Sequence, residues 1–246
     1  MNFELDGRVA IVTGASRGIG AAVARELARV GALVVVAARG AEALDEVASS
    51  LDGRGHAFAT DVARTEDLDR LVSAAVDRFG GVDVVVNNAG VSPPAKQIYQ
   101  VSLEEWQSTL DVNLRAAWYL SKLCHPLMRE RGGGAIVNIS STSGLHHDIG
   151  LGIYGISKAG LIMLTTVCAK EWARDGIRVN ALAPGIVRTE LARPIIEYVE
   201  TRGQKPNVMN MIGEPADIAR LVRFLVTDEG RYITGEVIRI DGGELL

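Results

Sequence analysis

The chain has only two cysteines in 246 residues, Cys124 and Cys168. They have no metal-ligand spacing and cannot form a disulfide framework, so both are expected as buried thiols in a reducing compartment. Aromatic residues make up only 5% of the sequence, and prolines number seven. Basic runs are missing: 26 Lys and Arg stand against 30 Asp and Glu, for a net charge of −4. Binding to a nucleic-acid phosphate backbone is therefore not expected. Long apolar runs are missing too. The longest, Ala32 to Ala38, is far short of a membrane span. The start, Met1 to Asp6, carries acids where a signal peptide has cations, and Leu245-Leu246 forms no prenylation or peroxisomal signal. These absences lead to the expectation of a cytoplasmic protein with no nucleic-acid partner, no membrane partner and no metal.

What is present is glycine, 27 residues of it, in a chain that is 48% hydrophobic. Average usage of about 7% would supply roughly 17. The surplus follows no Gly-X-Y period and no Gly/Ser tract, so neither collagen nor a flexible linker accounts for it. The aliphatic content is too high for disorder. In a globular chain such a surplus marks backbone that turns sharply or comes close to something.

Short β-branched runs alternate with amphipathic stretches along the whole chain. Strands are expected at Val9–Val12, Leu33–Val36, His56–Thr60, Val82–Val86, Ala135–Ile139, Arg178–Leu182 and Glu236–Ile240. Between them, Ile19, Val23, Leu27 and Val30 fall near helical spacing, as do Leu68, Val72, Ala75 and Phe79. Ser102 with Glu105 makes a capping box that opens a helix. A long helix is expected over Leu110–Arg131 and another over Gly155–Arg174. Strands that are apolar on both faces and separated by helices imply a parallel sheet covered on both sides. The reading is one doubly wound α/β domain over residues 1–246. One stretch breaks the rhythm, about Glu190 to Gly213, which lacks a strand pattern and is a candidate lid.

Directly after the first strand comes Thr13-Gly14-Ala15-Ser16-Arg17-Gly18-Ile19-Gly20. Glycines at that spacing allow a tight strand-to-helix turn and close approach of backbone to a pyrophosphate, which the following helix N-terminus favours. An acid about 20 residues later would bind an adenosine ribose 2′-hydroxyl. Here that place reads Ala37-Ala38-Arg39. Arg39 with Arg17 suits a 2′-phosphate instead, through charge-assisted bonds. NADP is thus expected over NAD.

Further along stand Asp61-Val62, Asn87-Asn88-Ala89-Gly90, Asn113, Ser141, Tyr154-x-x-x-Lys158, Pro184-Gly185 and Asp241-Gly242-Gly243. Tyr154 and Lys158 are four apart, hence neighbours on one helix face. A phenol with pKa near 10 is a poor base at neutral pH, and a nearby ammonium lowers that pKa. Tyr154 is then a general acid for carbonyl reduction and a general base for alcohol oxidation. Ser141 lies just past a strand end, where such sheets bind ligands, and its hydroxyl can donate to a developing alkoxide.

With these residues in this order, the chain resembles the classical short-chain dehydrogenase/reductase family from Arg8 to Gly243. The resemblance implies a seven-stranded Rossmann sheet, hydride transfer with a nicotinamide cofactor, a small carbonyl or alcohol substrate and a homotetramer. It implies catalytic roles for Ser141, Tyr154 and Lys158, and a water-mediated proton relay at Asn113. It assigns to the cofactor the turn Gly14, Ser16, Arg17, Gly18, Ile19 and Gly20, with Arg39 beyond it. Asp61 and Val62 belong at the adenine, Asn88, Ala89 and Gly90 along the adenosine ribose, and Tyr154 and Lys158 at the nicotinamide ribose. Pro184, Gly185, Val187 and Thr189 belong near the carboxamide.

The segment from Ala181 to Thr189 is similar to a carbonyl-reductase branch of the family. Met1 to Glu4 and Thr13 to Gly20 are similar to 3-oxoacyl carrier-protein reductases. The leading expectation is an NADP-dependent carbonyl reductase or alcohol dehydrogenase. The rivals are a 3-oxoacyl thioester reductase, with Arg129 and Arg131 as candidate docking cations, and a non-catalytic nucleotide-sensing scaffold. His146-His147-Asp148 is expected as a solvent-facing loop bordering the substrate pocket, and Tyr198, Met209 and Met211 are candidates to line that pocket.

Overall fold

The computed structural model describes residues 4–246; Met1 to Phe3, part of the N-terminal reading above, lie outside it. Seven parallel strands form one sheet in the order β3-β2-β1-β4-β5-β6-β7. They are β1 Val9–Thr13, β2 Leu33–Ala38, β3 Gly55–Ala59, β4 Val84–Asn87, β5 Gly134–Ile139, β6 Ile177–Pro184 and β7 Val237–Ile240. Each expected strand is present, with ends shifted by a few residues.

Alternation along the strands divides the core in two. Ala10 and Val12 of β1 and Val34 and Val36 of β2 face one side. There they meet α1 Gly18–Arg29, α2 Ala41–Ser49 and α8 Pro215–Val226 through Val23, Leu27, Leu44, Val222 and Leu225. Ile11 and Val35 face the other side with Leu68 and Leu71 of α3 Thr65–Phe79. Leu120, Cys124 and Met128 of α5 Ala116–Glu130 and Cys168 of α6 Gly152–Trp172 complete that layer. Both cysteines are free and buried.

The capping box is made as expected. Ser102 Oγ accepts from Glu105 N at 3.2 Å, and Glu105 Oε2 accepts from Ser102 N at 2.8 Å. It opens α4 Leu103–Leu110, which runs without a break through a π turn at Asp111–Arg115 into α5. The long helix therefore carries a widened turn that periodicity does not reveal. Helix α8 went unanticipated. Pro215 at the start of α8, the reciprocal Glu214–Asp217 cap, and Ile218, Val222 and Leu225 at helical spacing are the signals that mark it.

By length and hydropathy alone, α6 is apolar enough to cross a bilayer, since an 18-residue window within Gly152–Asp175 has a mean hydropathy of 1.4. Its Ile153, Leu161, Cys168 and Ala169 are instead buried in the fold. The irregular stretch after β6 leaves the sheet and returns. Arg188 N donates to Gly213 O at 2.8 Å and Gly213 N to Ile186 O at 2.9 Å, closing its base. The helix α7 Arg193–Arg202 lies inside it.

Candidate active site

The sheet order reverses between β1 and β4, and a crevice opens at the carboxyl ends of the strands at that point. The glycine turn forms one wall. Gly14 and Gly18 have φ of +63° and +55°, values that L side chains rarely adopt. A Cβ on Gly20 would collide with Gly14 O and come 2.6 Å from Asn88 Nδ2. The turn is thus packed tightly against β4. Asn88 Nδ2 donates to Thr13 O and Gly14 O at 2.9 and 3.1 Å. Thr13 Oγ1 accepts from Asn88 N and Ala89 N at 3.0 and 3.1 Å. The Asn88 amide is committed to holding the turn.

An anionic group fits this place. Helix α1 has no side-chain cap at Arg17 and no acid in its first turn, so its leading N–H groups and positive dipole end have no side-chain acceptor. Ser16, Gly18 and Ile19 are half-buried at the turn, and Arg17 and Arg39 are exposed. Among the described residues neither guanidinium forms an ion pair or a hydrogen bond, which leaves both available to an incoming phosphate.

The neighbouring wall follows β3. Asp61 Oδ1 accepts from Ala63 N at 3.0 Å, fixing a turn, and Val62 is buried against the core. After β4 the chain passes Asn88, Ala89 and Gly90. A Cβ on Gly90 would lie 3.4 Å from Lys158 Nζ and 3.5 Å from Asn113 Oδ1. Three motifs distant in sequence therefore converge at Gly90. After β6, Pro184 is buried and Gly185 N donates to Ile240 O at 3.2 Å. Val187 is buried, and the Thr189 methyl lies 3.2 Å from where a Cβ on Gly18 would stand. The β6 segment thus reaches back to the glycine turn.

Asn113 sits in the π turn and is buried. Its Oδ1 accepts from Val91 N at 2.8 Å, and its Nδ2 donates to Val91 O and Ser157 Oγ at 2.9 Å each. The side chain ties the loop after β4 to α6.

Ser141 caps the turn Thr142–Gly144 directly after β5, its Oγ accepting from Ser143 N at 3.2 Å. Tyr154 lies near the start of α6, and Ser141 is the polar neighbour that favours its ionised form. Lys158, one helical turn on, is buried and donates from Nζ to Ile139 O at 2.8 Å. Its Nζ lies 5.7 Å from the Tyr154 ring centroid. Burial brings the ammonium down to about 8. The phenol differs from the expectation. Burial pushes it above its usual value, the Ser141 hydrogen bond opposes this, and the Asp148 carboxylate adds to the rise. Desolvation is the largest cause at both groups and outweighs the expected lowering by Lys158. A phenol so placed holds its proton until a neighbouring oxygen gains charge, and a serine hydroxyl beside it can donate to that same oxygen.

Beneath the site runs a network that sequence reading overlooked. Asn87 Nδ2 donates to Ser121 Oγ at 3.1 Å and to Asn138 Oδ1 at 2.8 Å, and Asn138 Nδ2 to Thr165 Oγ1 at 2.8 Å. These buried groups join β4, β5, α5 and α6. The polar Asn87 and Asn138 in otherwise apolar strands are the signal that could have found them.

Other expectations are corrected. Arg131 makes two bonds of 2.9 Å to the buried Asp83, which precedes β4. It lies, with Arg129 at the end of α5, at the amino end of the sheet, opposite the crevice. Neither is a docking cation at a pocket mouth. Tyr198, Met209 and Met211 are about half or more exposed, and the Tyr198 ring packs against Arg202. In the segment after Ser141, His146 and His147 are exposed, whereas Asp148 turns inward.

Residues 14–244 match the family model described as "Enoyl-(Acyl carrier protein) reductase". The chain is 38% identical over 244 residues to dehydrogenase/reductase SDR family member 4 of Homo sapiens, covering 97% of this chain and 88% of that protein. It is 32% identical to L-sorbose reductase from Gluconobacter frateurii, solved with NADPH and L-sorbose, at a TM-score of 0.92 covering 100% and 99% of the two chains. It is 30% identical to 3-ketoacyl-(acyl-carrier-protein) reductase from Brucella melitensis, solved with NADH, at a TM-score of 0.93 covering 98% and 100%.

Proposed function

Since this chain belongs to the classical short-chain dehydrogenase/reductase family, we propose that it interconverts a ketone or aldehyde and the corresponding alcohol with NADP. The observation that carries this reading is the buried Lys158 ammonium 5.7 Å from the centre of the Tyr154 ring, with Ser141 at the same phenol. Bound along the glycine turn, the cofactor supplies or accepts the hydride. Ser141 donates to the carbonyl oxygen and orients it. Tyr154 gives that oxygen its proton in reduction and takes it back in oxidation. Lys158 holds the nicotinamide ribose and supplies positive charge next to the phenol, which favours the phenolate left after proton transfer. Asn113 holds the loop after β4 against α6, and its main chain carries the water of the proton relay.

Gly14, Ser16, Gly18, Ile19 and Gly20 hold the pyrophosphate. Asp61 and Val62 bound the adenine, Ala89 and Gly90 the ribose, and Gly185, Val187 and Thr189 the carboxamide. Residues 190–213 act as a lid hinged on the hydrogen bonds between Ile186, Arg188 and Gly213. The two guanidiniums without protein partners support NADP over NAD. A charge-assisted bond is worth about 1.5–3 kcal/mol. The double substitution Arg17→Ala, Arg39→Ala removes two such bonds and is therefore expected to lower kcat/KM for NADPH by at least about 10²-fold. The value for NADH should stay within about threefold. Steady-state kinetics against a panel of ketones with both cofactors checks this. Equal losses for the two cofactors would overturn the assignment to NADP.

A 3-oxoacyl thioester reductase is the second reading, supported by the likeness to the Brucella enzyme. It has lost the docking cations first suggested for it, and acetoacetyl thioesters belong in the same panel.

We also propose that the protein is a cytoplasmic homotetramer. Ile156, Met163 and Val167 are exposed at spacings of seven and four on α6, and Trp118 of α5 is exposed as well. A helix apolar on both faces is one that is covered on both. Light scattering is expected to give four times the 26.2 kDa chain mass. Met163→Glu should shift it to smaller species by burying a charge at the interface.

A further inference from the structure

The tail after β7 meets two parts of the crevice at backbone distance. The first is the segment after β6. Gly185 N donates to Ile240 O at 3.2 Å, and a Cβ on Gly185 would stand 3.0 Å from Asp241 Cα. The second is residues 207–211, the limb by which the irregular stretch after β6 returns to the sheet. Met209 N donates to Gly242 O at 3.1 Å. A Cβ on Gly242 would come 2.7 Å from Asn207 Nδ2, and one on Gly243 would come 3.2 Å from Val208 Cβ. Gly242 and Gly243 have φ of +61° and +83°. Limb and tail approach so closely that no side chain fits between them.

Asn207 gives the limb its shape. Its Nδ2 donates to Met211 O at 2.7 Å, and its Oδ1 accepts from Met211 N at 3.2 Å. One amide thus pairs with both backbone groups of one residue. Inside the ring so closed, Asn210 N donates to Asn207 O at 3.1 Å. Asn210 takes a φ of +53°, which asparagine tolerates better than most residues. Val208 and Met209 are exposed and belong to neither apolar layer. Apolar burial does not hold this limb, so the bonds of Asn207 and Gly242 do. The pairing of Ile186 and Arg188 with Gly213 fastens the stretch at its base. The contact at Gly242 is a second fastening, and it stands on the same tail that backs Gly185.

We propose that Asn207 is a positioning residue, which fastens the return limb of the lid to Gly242 and so sets how firmly the carbonyl substrate is held, without taking part in hydride or proton transfer. The effect on substrate rests on the carbonyl-reductase reading above.

A ligand held under a lid loses affinity in proportion to the fraction of molecules whose lid is in place. Asn207→Ala is therefore expected to raise KM for a reducible ketone at least about fivefold. Both kcat and the Kd for NADPH should stay within about twofold. Trypsin gives a readout that does not need turnover. Within residues 190–213, Arg193 and Lys205 each precede a proline, where trypsin does not cut, so the bond after the exposed Arg202 is the susceptible one. Its cleavage should be at least about fivefold faster in Asn207→Ala. Gly242→Ala reaches the same contact from the other side, because its Cβ would press on the Asn207 amide. It should raise KM in the same way. Asn207→Ala vacates that space, so KM of the double variant should lie within about twofold of the larger single effect. A KM or a cleavage rate unmoved in Asn207→Ala overturns the proposal. So do equal losses of substrate and cofactor binding, or a double variant that shows the product of the single effects. If the parent reduces no ketone of the panel with either cofactor, the carbonyl-reductase reading fails. The cleavage rate then shows separately whether Asn207 fastens the limb.

Discussion

Tyr154→Phe is expected to lower kcat for carbonyl reduction by about 10²–10⁴-fold, the range typical of a positioned general acid. Affinity for the cofactor should stay within about threefold. The substitution removes one oxygen and leaves a ring of the same shape beside Lys158. The phenol is half-buried, desolvation pushes it above its usual pKa, and Ser141 opposes that rise. Such a group keeps its proton at neutral pH and releases it only to an oxygen that is gaining negative charge. Oxidation of the alcohol needs the reverse, a phenolate, so the oxidative rate of the parent should rise with pH above neutrality while reduction does not. Stopped-flow turnover together with fluorescence titration of NADPH separates the two effects. Retained turnover would remove Tyr154 from the chemistry and revive the scaffold reading.

Lys158→Met should couple a loss of activity to a gain in stability. The ammonium is buried, held by one bond to Ile139 O, and brought down to about 8 from its ordinary 10.5. Between these two values the unfolded chain binds a proton that the folded chain lacks. The stability of the parent therefore rises with pH across that window, and below it the buried charge is a standing cost of about 3 kcal/mol. Methionine removes the charge and leaves Ile139 O without its donor, which costs about 1–3 kcal/mol. The expected outcome is a variant up to about 2 kcal/mol more stable than the parent at pH 7. Its advantage should disappear as pH rises through 8 toward 10.5. Urea unfolding at a series of pH values reads this directly. A parent whose stability does not rise across that window would mean that Lys158 is not desolvated. The activity loss is expected to be about 10²-fold or more, because the phenolate side of the proton transfer loses its counter-charge.

Much of this was written in the linear sequence. Apolar alternation with period two, interrupted by helical spacing, is a local property, so seven parallel strands were foreseeable. The glycine turn was legible for the same reason, since positive φ at Gly14 and Gly18 is a demand that residue type answers directly. Tyr154 and Lys158 were legible because four residues on a helix are always neighbours. The absence of an acid after β2 was legible simply by counting.

Only the tertiary structure could decide the rest, because it depends on atoms far apart in the chain. It turned the Asn88 amide toward the glycine turn and the Asn113 amide toward Val91 and Ser157. It placed Arg131 on Asp83, at the end of the sheet away from the crevice. It reversed the expected shift of Tyr154, since desolvation is a property of everything packed around a group and the four-residue spacing to Lys158 says nothing of it. It also brought Glu244, from the tail beyond β7, across to Thr142 and Gly185. Sequence alone determined the sheet, the turn and the residue types that do the chemistry. Which side chains face the substrate, and with what charge, followed only from the packing that sets their neighbours and their distance from water.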